Sequence, residues 1–249
     1  MKIQLTRGRS IALMTLLVVA GITQSQAAVN PDRTRYIFDG SKKTLTVNVT
    51  NHDQQRPFLA QSWIEDIKFN KVTSPFLVQQ PIKRLEPGGK EAFVLRYRPE
   101  VGSQLPKDRE TLFYYNLREI PPVPDKVNSL QIAMQISLKL FYRPAALVAE
   151  AEKRKNEGRP WQEEMRIEKR GSRAVLLNPT AFYTVLTGIR LDEHKNSEKF
   201  QSIIIAPFSE EKLTIDFLSL GNKPEFSYIN DNGFVQLVKF SCHNNACRQ

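Results

Sequence analysis

Leu130-Gln131-Ile132-Ala133-Met134-Gln135-Ile136-Ser137-Leu138-Lys139-Leu140 is the stretch whose reading decides the fold. Its residues alternate, so an extended chain puts Leu130, Ile132, Met134, Ile136, Leu138 and Leu140 on one face and Gln131, Gln135, Ser137 and Lys139 on the other. A period of two predicts a β-strand. Eleven residues is roughly twice the common strand length, so part of this strand is expected to run beyond the sheet that its own domain needs. An ordinary long core strand has the same periodicity, and periodicity alone favours that plainer reading.

Outward from this stretch, short apolar or alternating runs recur at Thr44–Val49, Phe58–Ile64, Glu91–Tyr97 and Leu112–Leu117. Turn residues separate them: Asp39-Gly40-Ser41, Asn51-His52-Asp53, Pro87-Gly88-Gly89 and Pro121-Pro122-Val123-Pro124. Such punctuation predicts an all-β chain of antiparallel sandwich type. After Arg143-Pro144 the pattern breaks. Ala145–Arg159 crowds Glu150, Glu152, Lys153, Arg154, Lys155 and Glu157 together; it is the one plausible helical or disordered stretch, and the reading favoured is a solvated linker or extended loop. Strands then resume near Met165–Ile167, Ala174–Leu177, Tyr183–Leu191, Ser202–Ile205, Leu213–Phe217 and Gly233–Phe240. The expected organisation is two β-sandwich domains of similar size, residues 28–147 and 148–249, with no internal repeat.

The chain opens with Lys2, Arg7 and Arg9, an uncharged stretch Ile11–Ile22, and Ser25-Gln26-Ala27 before Ala28. This is the layout of a secretory signal peptide, residues 1–27. As a helix the twelve uncharged residues would cover only about 18 Å, short of the ~30 Å hydrocarbon core, so a membrane anchor is the poorer reading. Removing the leader takes three of the 36 basic residues, leaving 33 against 26 acidic, a net charge of +7. That excess, without a basic run interleaved with aromatics, predicts no nucleic-acid partner and suits acidic partners or carboxylates. Membrane insertion is not expected after the leader. Cys242 and Cys247 are the only cysteines. In an exported chain they are expected to form a disulfide closing a local hairpin, while a zinc site with His243 would lack a fourth ligand.

Catalysis finds little support. His52, His194 and His243 sit in polar, turn-like contexts, and no G-x-S-x-G elbow, H-E-x-x-H pair or phosphate-binding glycine loop is present. The adjacent acids Glu163-Glu164 and Glu210-Glu211 would point to opposite faces of a strand. No cofactor or metal is expected. Arg35 and Lys139, read singly, are ordinary surface charges.

Several segments together decide otherwise. They are Asp32-Arg33-Thr34-Arg35, Leu59-Ala60-Gln61-Ser62-Trp63-Ile64-Glu65, Arg84-Leu85-Glu86-Pro87-Gly88 and Leu112-Phe113-Tyr114-Tyr115-Asn116-Leu117-Arg118-Glu119-Ile120-Pro121-Pro122. They continue with Leu130-Gln131-Ile132-Ala133, Lys139-Leu140-Phe141-Tyr142-Arg143-Pro144, Asn178-Pro179-Thr180 and Ser227-Tyr228-Ile229-Asn230-Asp231. In this order, over nearly the whole exported chain, they resemble the periplasmic pilus chaperones of the chaperone–usher pathway.

The resemblance implies two immunoglobulin-like sandwiches around a cleft, and a non-enzymatic role. Such a chaperone stabilises pilus subunits by donor-strand complementation and delivers them to an outer-membrane usher. By that likeness Leu130, Ile132, Met134 and Ile136 are donor residues. Arg35 and Lys139 would bind the subunit's terminal carboxylate, and Glu110, Arg143 and Asp231 form a charge network between the domains. Because Lys139 has the parity opposite to Leu130 and Met134, its direction would require twist or a bulge. The short connection Pro121–Ser129 resembles the subgroup serving rod-forming pili, whereas Ala149–Trp161 is longer and more charged than the family's P-pilus equivalent. A self-capping dimer is a further partner to consider. The competing readings are a pilus subunit or adhesin, disfavoured because the donor-like strand lies mid-chain, and a periplasmic hydrolase, which lacks its residues.

Overall fold

The structure, a computed structural model, describes residues 27–98, 100, 105–124, 130–191, 195–196 and 200–249. The expected signal peptide lies outside the described residues except for Ala27, as do residues 125–129 of the connection before the long strand.

The first ten strands are β1 Val29–Pro31, β2 Arg35–Asp39, β3 Thr44–Asn51, β4 Phe58–Glu65, β5 Lys71–Val72, β6 Phe76–Gln79, β7 Ile82–Leu85, β8 Lys90–Tyr97, β9 Thr111–Ile120 and β10 Gln135–Arg143. They build one sheet in the order β1-β3-β8-β6 and a second in the order β2-β10-β9-β4-β5, with β7 also paired to β4. Alternation fixes which side chains meet between the sheets: Tyr36, Phe38, Val47, Val49, Phe93, Leu95, Tyr115, Leu117 and Leu140 are buried in one core. The chain changes sheets between β1 and β2, and β2 then lies beside β10 in the one parallel pairing among the described strands.

The other ten are β11 Arg166–Arg170, β12 Arg173–Asn178, β13 Thr184–Leu191, β14 Lys195–Asn196, β15 Ile203–Ile205, β16 Ser209–Asp216, β17 Glu225–Ile229, β18 Val235–Lys239, β19 Ser241–His243 and β20 Ala246–Arg248. They form sheets β16-β12-β11-β20-β19 and β14-β13-β17-β18, with β15 on β13, around a separate core containing Ile167, Leu176, Leu186, Leu213, Phe226 and Phe240. Cys242 and Cys247 face each other across the β19–β20 hairpin and are joined as a disulfide.

Two expectations need correction. Ala145–Asn156 is an α-helix, α1, not an extended linker. Pro144 stands at its N-cap, Ala145-Ala146-Leu147-Val148-Ala149 are mostly strong helix formers, and Lys153, Arg154 and Lys155 occupy the last turn, where the helix dipole favours cations. Burial supplies the rest: Leu147 and Ala151, one turn apart, pack with Trp161 and Phe182. The charge-rich composition masked this narrow apolar stripe. The second concerns the plainer reading of the long stretch as an ordinary core strand throughout: its regular ladder begins at Gln135 and leaves Leu130–Met134 outside the sheet, as the excess length suggests. Gln135 pairs with Arg118 near the end of β9, and beyond the bond from Glu119 N–H to Met134 O no partner strand continues the ladder.

The sandwiches meet through an apolar patch of Leu112 and Phe141 from the first and Val185 from the second. Beside it Arg143 donates Nε to Glu110 Oε1 at 2.7 Å and both terminal nitrogens to Asp231, at 2.7 and 3.1 Å. Its guanidinium also lies over Trp161 and Phe182. Glu110 ties the joint a second way: its Oε2 accepts the Tyr183 N–H at 2.7 Å, and its own N–H donates to Ala181 O at 2.9 Å. Burial pushes the Glu110 carboxyl up to about 7, against the pull of Arg143 and the Tyr183 N–H, while Asp231 adds to the rise.

A raised carboxyl means that folding takes up a proton between the unfolded value, 4.5, and about 7. This group's contribution to stability therefore falls as pH rises through that window. Chemical denaturation should show a lower midpoint at pH 7.5 than at pH 5, and Glu110→Gln should flatten that slope whatever it does to the absolute midpoint. An equal slope in the variant would show that Glu110 does not carry the dependence.

Candidate functional site

Parallel pairing places Arg35 of β2 in register with Lys139 of β10. The β10 ladder runs from Gln135 to Tyr142 against β9 without a register shift, so its alternation is unbroken. Leu138 and Leu140 pack into or against the first core, while Lys139 shares the opposite face with Phe141 and Arg143, both of which meet the second sandwich. No bulge is needed to direct Lys139: the two parities of one strand address two different surroundings, which corrects the expectation of twist or a bulge.

Arg35 is buried, 8% exposed. Its Nη1 donates to the Ile229 carbonyl at 3.0 Å, and the guanidinium carbon lies 5.9 Å from the centre of the Phe141 ring. Its Nε has no hydrogen-bond partner among the described residues. Burial lowers the Arg35 pKa, with Asp231 and Glu110 acting against that shift from a distance. Burial also lowers the pKa of half-buried Lys139, and the neighbouring Arg35 charge lowers it further. The carboxylates that could neutralise this pair, Glu110 and Asp231, are instead bonded to Arg143. The result is a partly dehydrated pair of cations with unused donors, an environment that favours a bound anion with two acceptor oxygens.

Preceding Lys139 along the same chain, Leu130 is 88% exposed, Ile132 64% and Met134 43%. Ile136 is half-buried. The polar parity holds this segment down: Gln131 Nε2 donates to the carbonyls of Pro121 and Pro122, at 3.0 and 2.9 Å. The apolar parity is left facing outward. Among the described residues the edge of β10 away from β9 is unpaired over Gln135–Leu138, because β2 covers only Lys139–Arg143.

Of the residues singled out in the sequence, the structure brings Arg35 and Lys139 side by side, joins Glu110, Arg143 and Asp231 in one network, and sets the four apolar residues along one segment. The Ile229 carbonyl and Phe141 were not anticipated. Phe141 was legible as a residue of Lys139's parity, and Asn230-Asp231-Asn232-Gly233 as a turn signal, but the backbone group that meets Arg35 carries no mark in the sequence. Among the described residues no cluster of His, Cys, Asp and Glu could hold a metal ion, and no helix is long and apolar enough to cross a membrane.

Comparison with known proteins places this geometry. Residues 28–148 match the family model described as pili and flagellar-assembly chaperone, PapD N-terminal domain, and residues 160–238 match that of the pili assembly chaperone PapD, C-terminal domain. The chaperone protein PapD of Escherichia coli is 41% identical over 239 residues, covering 95% of both chains. Chaperone protein PmfD of Proteus mirabilis is 36% identical over 240 residues, 94% of this chain and 91% of its own. Among solved structures, the periplasmic chaperone SfaE aligns with a TM-score of 0.66 at 26% identity, covering 85% of this chain and 98% of SfaE. The SafB chaperone, solved with the SafA pilin of Salmonella enterica, shares the fold with a TM-score of 0.69 at 24% identity, over 88% of this chain and 99% of the other. Matched in both halves by the family's models and over nearly its full length by its relatives, this chain belongs to the PapD family of pili assembly chaperones.

Proposed function

We propose that this chaperone holds pilus subunits in the periplasm by lending them the Leu130–Ile136 segment as a strand, with the subunit's terminal carboxylate bound between Arg35 and Lys139. The observation that carries the reading is the buried Nε of Arg35, without a partner among the described residues, beside a lysine that no described acid neutralises. In this reading residues 28–147 form the donor domain and residues 148–249 the second wall of the cleft. Glu110, Arg143 and Asp231 set the angle between them.

Two recognition terms then divide the work. Leu130, Ile132, Met134 and Ile136 fill a subunit groove that lacks its own strand, while the open β10 edge continues the subunit's sheet. Burying the exposed Leu130 and Ile132 at ~1.5–3 kcal/mol each supplies roughly 3–6 kcal/mol, and the partly covered Met134 and Ile136 add less, before ordering and association are subtracted. The cations contribute register. A slip by one residue would offer Gln131, Ala133 and Gln135 to the groove, and an anchored chain end opposes that slip. No bond is made or broken, so neither catalysis nor nucleotide is required, and an outer-membrane usher would receive the subunit by strand exchange. A pilus subunit or adhesin remains the poorer reading, since the apolar segment lies mid-chain between β9 and β10.

Co-expression with candidate subunits and co-purification from periplasm test both terms. Arg35→Ala and Lys139→Met should each reduce subunit retention at least about tenfold, the loss of a charge-assisted bond. The melting temperature of Lys139→Met should hold, because the change relieves like-charge repulsion, whereas Arg35→Ala also loses its bond to the Ile229 carbonyl, so its retention is compared at a temperature where it remains folded. Equal retention by both variants and the wild type would refute the carboxylate assignment. Separately, Ile132→Asp should abolish retention while shifting the melting temperature by no more than about 2 °C, since the side chain is exposed in the free protein. Undiminished retention by that variant would exclude Leu130–Ile136 as the donor.

A further inference from the structure

A guanidinium recognises a carboxylate as a planar fork, so the direction of its free edge matters as much as its charge. In Arg35 that direction is set from the other sandwich. Nη1 is bonded to the Ile229 carbonyl at 3.0 Å, which leaves the edge formed by Nε and Nη2 for a ligand, and Nε is buried without a partner among the described residues. Ile229 is the last residue of β17, and the turn that follows is built around one side chain. Asn230 Oδ1 accepts the N–H of Asn232 and the N–H of Phe234, both at 3.0 Å. The Asn230 main chain closes the same turn, donating to Phe234 O and accepting from Gly233 N–H, each at 2.9 Å.

The turn also rests against the residue before Arg35. Gly233 has φ +86°, a conformation that favours glycine, and a side-chain carbon at this position would collide with Thr34 Oγ1. Thr34 and Gly233 therefore approach with nothing between them, and any drift of the turn is transmitted to the start of β2.

We propose that Asn230 is a positioning residue for the anion site: its side chain fixes the β17–β18 turn, the turn fixes the Ile229 carbonyl, and that carbonyl aims the Nε–Nη2 edge of Arg35. This rests on the carboxylate-binding reading above and deepens it, because the second sandwich then contributes direction rather than charge. Asn230 itself touches no ligand. An aspartate at this position has an oxygen that can accept the same two N–H groups, whereas alanine has none.

The test uses the full exported protein labelled with nitrogen-15, with the Arg35 Nε–H resonance assigned by its loss in Arg35→Ala. The probe is sodium acetate, compared with sodium chloride at equal ionic strength. Acetate and not chloride should shift the wild-type resonance saturably. Asn230→Ala should weaken the apparent acetate affinity by about three- to tenfold, as expected when one ordered side chain loses its pre-organisation. Asn230→Asp should restore it. A merely structural role would lower the melting temperature of Asn230→Ala and leave its acetate response intact, which would overturn the proposal. Should Asn230→Ala fail to fold, Gly233→Ala pushes the turn away from Thr34 and must produce the same weakening, and an unweakened response there also overturns it. No acetate response in the wild type would bring down the carboxylate reading and this inference together. A wild-type response matched by Asn230→Ala would bring down only the inference.

Discussion

The allocation of charge at the joint between the two sandwiches governs the rest of the molecule. Arg35 and Arg143 both feel two carboxylates, Glu110 and Asp231, with Lys139 beside Arg35, and Arg143 bonds to both acids. A fork satisfied on two sides can be buried at modest cost, and once buried it locks Glu110 to the second sandwich through the Tyr183 N–H. Removing either acid would leave Arg143 short of a partner. Giving one to Arg35 would remove the reason for an anion to enter. Glu110, Arg143 and Asp231 thus tie the sandwiches together, and because Arg143 takes both acids, the charges of Arg35 and Lys139 stay uncompensated among the described residues.

Much of this was legible in the chain before its fold was known, because β-structure writes itself as alternation. Leu138 and Leu140 inward and Lys139, Phe141 and Arg143 outward follow from parity, and the punctuating turns mark two sandwiches. What resisted reading was everything that depends on a partner elsewhere in the sequence. Leu130–Met134 has the pattern of a strand, yet a strand exists only where another strand supplies its hydrogen bonds, and β9, ending at Ile120, gives this segment only the bond from Glu119 N–H to Met134 O among the described strands. The helix Ala145–Asn156 was hidden by its own surface charges, since only Leu147 and Ala151 are needed to seat it on Trp161 and Phe182. Arg35 beside Lys139 could be suspected only through resemblance, as 103 intervening positions separate them and the parallel pairing of β2 with β10 leaves no local trace.

Apolar exposure of this degree is normally a hazard to an isolated chain. Here it is confined. The segment Leu130–Met134 is pinned by Gln131 to the carbonyls of Pro121 and Pro122, two residues that cannot themselves donate to a growing sheet. The disulfide across β19–β20 lies in the other sandwich, remote in the fold from this region, and closes only the terminal hairpin.

The parallel docking of β2 on β10 has one more consequence, which is metrical. By occupying the edge of β10 from Lys139 onward, β2 leaves Gln135–Leu138 of that strand open, about 13 Å of extended chain, with Leu130–Met134 leading into it. In the proposed complex a guest strand laid along it would stop at Lys139, because the neighbouring backbone of β2 and the paired cations stand in its way. The edge would then act as a ruler with an end-stop, accepting a polypeptide whose last residue and hydrophobic groove are separated by the matching span.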